Sequence, residues 1–170
     1  MSTWSGDELR FDHGDETPQR LKTQLSRLVG MTAIQMGRVA GTALSEVGAH
    51  KNHYIVLAAL AELGPASQAV LSGRTRIYKS DLVAVLNELA DGGWVRRAPD
   101  PSDKRRNVIT VTEAGQRHLV ELDGVLAAVN EHIMAPLDHD ERTRLFELLN
   151  RINGHLAASD DAPHPTTPGR

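Results

Sequence analysis

Leu21, Leu25, Leu28, Thr32, Met36, Val39, Ala43 and Val47 recur at three- and four-residue steps near the start of the chain. That spacing lays one narrow, mostly apolar stripe along an α-helix. A second stripe, Leu145, Leu148, Leu149, Ile152 and Leu156, lies near the other end. In a chain of 170 residues such helices outgrow a small domain's own core. Their seams must therefore pack on another long helix, in the same chain or in a second copy. The expected architecture is mainly helical, with long terminal helices flanking a central module, and two-fold pairing is the commonest way to close such seams.

Thr17 and Pro18 suit a helix start, the threonine as cap and the proline in the first turn, and this helix is expected to last until about Gly48. A second helix over 51–63 would bury Tyr54, Leu57, Ala58, Leu60 and Ala61 and end at Gly64-Pro65. Ser67 opens a short helix from Gln68 to about Gly73, and after a break of three or four residues a longer one covers 79–91 until Gly92-Gly93. Within it Leu82, Val85, Leu86 and Leu89 take the apolar face, and Lys79, Ser80, Val83, Ala84, Asn87 and Glu88 the outward one.

Residues 94–97 and 107–112 read as two short strands, the second with Ile109 and Val111 on one face and Val108 and Thr110 on the other. They can pair as a hairpin. The loop between them carries two prolines, Asp100, Ser102, Asp103, Lys104, Arg105 and Arg106, so it should project into water as a charged finger. Helix, turn, helix, hairpin is the order of a winged helix-turn-helix. Beyond it, Thr112-Glu113-Ala114-Gly115 begins another long helix, with Leu119, Leu122, Val125, Leu126, Val129, Ile133 and Met134 as its apolar positions, and Pro136 breaks it. Asp138 and Glu141 have the spacing of a capping box for the last helix. The expected division is a flexible arm over 1–17, helical dimerisation segments over 18–48 and 113–157, a winged helix-turn-helix over 50–112, and a disordered tail over 158–170.

The net charge of −3 argues against indiscriminate binding to polyanions, so a nucleic-acid contact has to come from a local basic patch. The absence of cysteine excludes disulfides and thiolate metal sites and fits a reducing cytosol. With no apolar run long enough for a bilayer and no secretion signal in the polar opening, a cytoplasmic protein without membrane contact is expected. No glycine-rich phosphate loop, nucleophile elbow or paired-carboxylate arrangement occurs, so no enzymatic activity and no cofactor are expected. His50 and His53 stand one turn apart, and His118 and His132 follow the hairpin. Without an HExxH-like pair or a cysteine they give no reason to expect a metal site. Trp4 falls in the arm, where Asp7 and Glu8 would suit the first turn of an added helix.

The segment GPASQAVLSGRTRIYKSDLVAVLNELADGGWVRRAPDPSDKRRNVITVTEAG resembles the core of the MarR family, bacterial winged-helix transcriptional regulators. The likeness spans roughly 21–156 and rests on three pieces in order. These are the wing Asp103-Lys104-Arg105 followed by a strand and Thr112-Glu113-Ala114-Gly115, the recognition segment from Lys79 to Leu89, and Pro136-Leu137 with the final helix. The resemblance implies homodimers with interlocked terminal helices, each copy placing a recognition helix in the major groove of double-stranded DNA and a wing near the minor groove. It implies a palindromic operator, repression as the expected sense, and release by a small phenolic or anionic ligand held between the dimer helices and the central module, where His53 and Tyr54 would face it.

The DNA-contacting set implied is Ser67 and Gln68 on the first helix of the pair, Arg74, Arg76 and Tyr78 around the turn, Lys79, Ser80 and Asp81 at the start of the recognition helix, and Lys104, Arg105 and Arg106 on the wing. Asp103 would steady the wing, and Arg105 suits the negative potential of a narrow minor groove. Where relatives commonly have Leu-Gly-Ile-Asp, this chain has Thr75-Arg76-Ile77-Tyr78. Arg76 thus replaces a turn glycine and Tyr78 a capping aspartate, which predicts a strained or shifted turn and a weaker helix cap. The competing reading is a winged-helix module for protein association without specific DNA binding, a role that has no use for Arg105 on a basic loop.

Overall fold

The structure, a computed structural model, describes residues 18–99 and 107–159. Its elements are α1 (Gln19–Lys22), α2 (Leu25–Glu46), α3 (Lys51–Leu63), β1 (Ala66–Ser67), α4 (Gln68–Thr75), α5 (Lys79–Asp91), β2 (Val95–Pro99), β3 (Asn107–Val111), α6 (Glu113–Ile133) and α7 (His139–Ser159). The fold is mainly helical with one small antiparallel sheet, as expected for a winged helix. Two compact units divide it, residues 1–129 and 130–170. No described helix is long and apolar enough to cross a membrane.

The first long helix is interrupted. α1 stops after one turn, where the Thr23 hydroxyl donates to the Arg20 carbonyl at 3.3 Å, a local bond that competes with helix continuation. Pro18 stands at the N-cap position rather than inside the first turn, and Thr17 lies outside the described residues. From Leu25 to Glu46 the chain forms one continuous helix; the first half of its stripe is exposed within a single chain, Leu25 at 60% and Leu28 at 41%, while Leu44 near its end is buried in the core.

The core of the first unit gathers one stripe from each surrounding element. Val56, Leu57 and Leu60 of α3, Leu71 of α4, Leu82, Val85, Leu86 and Leu89 of α5, and Leu122 of α6 are buried together. Val95 and Ile109 seal it from the sheet. The four α5 positions match expectation. On α3 the buried face is His53, Val56, Leu57 and Leu60, an i, i+3, i+4, i+7 set, whereas Ala61 is exposed and Tyr54 only half-buried. The expected face was rotated because it passed over a histidine that belongs to the stripe.

The hairpin forms as expected, β2 antiparallel to β3 with Val95 opposite Val111 and Arg97 opposite Ile109. Its first strand begins at Val95, one residue later than expected, and runs to Pro99. A third strand, unforeseen because it is two residues long, pairs Ala66 with Ile109 and Ser67 with Val108, giving the order β1-β3-β2. The α5-to-β2 turn is a Schellman closure: Gly93 has φ +70°, its amide donates to Ala90 and that of Trp94 to Leu89, both at 2.9 Å. The Thr112 side chain then opens α6, accepting from the Gly115 amide at 3.0 Å and donating to the Gly93 carbonyl at 2.7 Å.

In the second unit the capping box is present: the Asp138 amide donates to Glu141 and the Glu141 amide to Asp138, each at 2.9 Å. Arg142 fixes the approach to α7, pairing with Glu131 at 2.7 Å and donating to the Leu137 carbonyl at 3.1 Å. α7 reaches Ser159, so residues 158 and 159, assigned to the tail, are helical, and the rest of the tail lies outside the described residues. α7 also exposes its apolar seam, Ile152 at 41% and Leu156 at 57%.

Candidate nucleic-acid interface

The turn between α4 and α5 is held by side chains of its own residues. Thr75 donates its hydroxyl to the Leu71 carbonyl at 2.7 Å and accepts from the Ile77 amide at 3.4 Å. Ser72 donates to the Ile77 carbonyl at 2.7 Å, and the Ile77 side chain is buried. This pinned geometry forces Arg76 into the left-handed region, φ 55° and ψ 23°, the one non-glycine residue with positive φ among the described residues. The strain expected from losing a turn glycine is therefore present.

Tyr78 occupies the N-cap of α5 without a side-chain cap bond, and 80% of it is exposed. The first amides of α5 thus lack a side-chain acceptor from Tyr78 at the end of a helix where partial positive charge collects. Lys79 and Ser80 are exposed in that first turn, followed outward by Val83, Ala84 and Asn87. Ser80 donates to the Asp81 carboxylate at 3.1 Å, which turns that acid toward its own helix. The surface offers a cation, a hydroxyl, an aromatic hydroxyl and free amides on one ridge, the donors that phosphate oxygens accept from.

Two contacts tie this ridge to its neighbours. Ser67 caps α4 by accepting from the Val70 amide at 3.4 Å while its backbone pairs with β3, and the Gln68 side chain donates to the Lys79 carbonyl at 3.3 Å. The start of α4 therefore touches both the hairpin and the start of α5. From the other side, Arg97 on β2 donates to the Asn87 side chain at 2.8 Å, joining the hairpin to the C-terminal half of α5.

A model of the MarR family matches residues 48–106, the whole of this helix-turn-helix and the hairpin loop. The HTH-type transcriptional repressor NicR of Pseudomonas putida is 26% identical over 143 residues, covering 81% of this chain and 87% of NicR. The crystal structure of the PcaV transcriptional regulator of Streptomyces coelicolor superposes with a TM-score of 0.69 at 26% identity, over 80% of this chain and 99% of PcaV. Over residues 48–106 the chain matches the MarR family. A further structure, BpsR of Bordetella bronchiseptica, described with a mechanism for regulation of DNA binding by 6-hydroxynicotinic acid, has the same fold: TM-score 0.70, 19% identity, 81% of this chain and 98% of BpsR. The chain shares the winged-helix fold of these proteins, and the relatives it matches are described as transcriptional regulators.

Within this winged helix-turn-helix the structure brings together Ser67, Gln68, Arg76, Tyr78, Lys79, Ser80 and Asp81. Arg74 stands apart: its guanidinium donates to the carbonyls of Leu63 and Gly64 at 3.2 and 3.3 Å, closing the C-terminus of α3. Asp103, Lys104, Arg105 and Arg106 lie outside the described residues. Sequence reading passed over Arg96 and Arg97, both exposed on β2. The signal was an Arg-Arg pair inside a strand, where successive side chains face opposite ways.

His53 and Tyr54, expected to face a ligand pocket, are both engaged. The Tyr54 hydroxyl donates to Asp123 at 3.0 Å, and burial together with that carboxylate raises its pKa above the usual phenol value. His53 is 4% exposed, with its Nε2 2.8 Å from Glu88 Oε2, and His50 Nε2 lies 3.0 Å from the same oxygen. Burial lowers the His53 pKa despite the carboxylate, while the two imidazole contacts lower that of Glu88. The Trp94 indole stands edge-on to His53, with centroids 6.0 Å apart, and stacks on His118 at 4.0 Å.

Proposed function

We propose that this chain is a homodimeric MarR-type repressor that binds a palindromic operator through α5 in the major groove and the hairpin wing near the minor groove. The observation that carries the reading is the outward ridge of α5. It begins at a helix end with no side-chain cap, next to Arg76, Tyr78, Lys79 and Ser80, and the hairpin bearing Arg96 and Arg97 flanks it. The wing run Lys104, Arg105, Arg106 adds charge that phosphate or a narrow minor groove would attract. The exposed apolar seams of α2 and α7 supply surfaces for a second copy, which would hold two ridges roughly 34–36 Å apart, one helical turn of DNA.

A small acidic or phenolic ligand releases the operator by favouring a different spacing of the ridges, and lowers affinity only as far as it prefers that state. The regulation attributed to BpsR and the repressor role of NicR support this sense of control.

Mobility-shift titrations against DNA from upstream of the gene, at several salt concentrations, test the reading. Affinity is expected to fall steeply with salt, and Arg105→Ala to weaken binding by about 1–3 kcal/mol. A flat salt response, or an unchanged Arg105→Ala, argues for the protein-association alternative.

A further inference from the structure

Sequence spacing showed two histidines one turn apart and no third ligand; the fold supplies one. His50 at the N-cap of α3 and His53 three residues on bring their rings to 3.8 Å between centroids. Glu88, from the last turns of α5, places Oε2 within 2.8 and 3.0 Å of the two Nε2 atoms. One donor atom from each residue lies within 4.8 Å of every other. Two imidazoles and a carboxylate are the donor set of borderline divalent ions, with zinc the commonest. We propose that His50, His53 and Glu88 form a transition-metal site that joins α3 to the recognition helix α5, a feature outside the DNA interface described above.

The geometry suits an ion after local adjustment. A tetrahedral site with bonds of about 2.0–2.1 Å separates its donors by roughly 3.3 Å, so Glu88 has to withdraw by a few tenths of an ångström and the two histidine donors, within 4.8 Å of each other, have to settle at that spacing. The Glu88 side chain is 53% exposed and free to do so. The same openness leaves a fourth position for water, while His53, 5% exposed, provides a fixed anchor against the Trp94 edge.

Ligation also dictates the proton positions. Each neutral imidazole must offer a lone pair at Nε2, so its one proton moves to Nδ1. For His53 that atom is buried without a hydrogen-bond partner. For His50 the change gives up the bond accepted at Nδ1 from the Asn52 amide, 3.2 Å, and so loosens the cap of α3. The positive end of the α3 dipole also opposes a cation, and the Glu88 carboxylate offsets it. These two costs place the site among exchangeable rather than permanently filled metal centres. With no ion, the same residues form a hydrogen-bonded clasp in which both imidazoles donate to one oxygen.

Cobalt(II) and zinc titrations of the tag-free full-length protein distinguish the clasp from the metal site. One cobalt ion per chain is expected, giving the visible bands of low-coordinate cobalt and displaced by zinc. His50→Ala and Glu88→Gln, both at partly exposed side chains, should abolish the bands and weaken zinc binding by more than the roughly 10–100-fold that a supporting contact contributes. His132→Ala, at an exposed histidine elsewhere, should leave both unchanged. Circular dichroism of each variant confirms that it is folded. Wild-type protein that yields no such bands, or that binds zinc no more tightly than His50→Ala and Glu88→Gln, leaves only the clasp and overturns the proposal.

Discussion

Arg76 and Gly115 are opposite cases of backbone constraint. Arg76 holds a left-handed conformation, φ 55°, that costs a side-chain-bearing residue about 1 kcal/mol relative to glycine. Arg76→Gly should therefore raise the denaturant midpoint by an amount equivalent to about 1 kcal/mol, less the entropy glycine returns to the unfolded chain, and at the same time weaken operator binding. A variant that is no more stable would mean that the Ser72 and Thr75 bonds already relieve the turn. At Gly115 space is limiting: a Cβ there would lie 2.0 Å from the Trp94 carbonyl oxygen, a backbone atom that cannot swing aside. Gly115→Ala should cost about 1–3 kcal/mol or more in equilibrium unfolding. The strain at Arg76 was legible because the displaced glycine and the missing aspartate both belong to a known turn. The demand at Gly115 was not legible, since it depends on a carbonyl more than twenty positions earlier in the sequence.

Among the elements, α5 was read to its end residues because Leu82, Val85, Leu86 and Leu89 all point into the core and Gly92-Gly93 stops the helix chemically. β1 was invisible because two residues carry no periodicity, and its existence depends on pairing with β3. On α3 the histidine that begins the buried stripe was left off the apolar face and read as facing a ligand, since its carboxylate partner comes from another helix. The start of α5 is the element where stability and function pull apart. Tyr78→Asp would supply the missing cap acceptor and stabilise the protein by about 1 kcal/mol, yet set an anion where phosphate is proposed to sit. Thermal melts should rise and operator affinity should fall in the same variant. A rise in both would remove the α5 N-terminus from the DNA contact.

For the molecule as a whole, the apolar seams were the clearest signal in the sequence, and they remain exposed in the single chain: Leu25 at 60% on α2 and Leu156 at 57% on α7. Neither position is needed for the core of its own unit. Leu25→Glu with Leu156→Glu should convert a sedimenting dimer into a folded monomer and reduce operator affinity at least tenfold, because one ridge loses the benefit of the other. If the double variant still sediments as a dimer, pairing uses another face. The wing tip, which carries the strongest family likeness, lies outside the described residues, so its role rests on chemistry rather than on geometry.

The ties around Gln68 and Ser67 bear on how such a protein could be switched. β1, just before α4, is fastened to β3 through backbone pairing, Gln68 fastens α4 to Lys79 of α5, and Arg97 fastens β2 to Asn87. The two helices and the hairpin are thereby linked in a ring of three ties, so none can tilt alone without breaking a bond. A chemical signal arriving elsewhere has little leverage on the reading head itself. In the proposed dimer, what remains adjustable is the distance between two heads, which makes the protein a caliper whose jaws are stiff and whose hinge lies outside them.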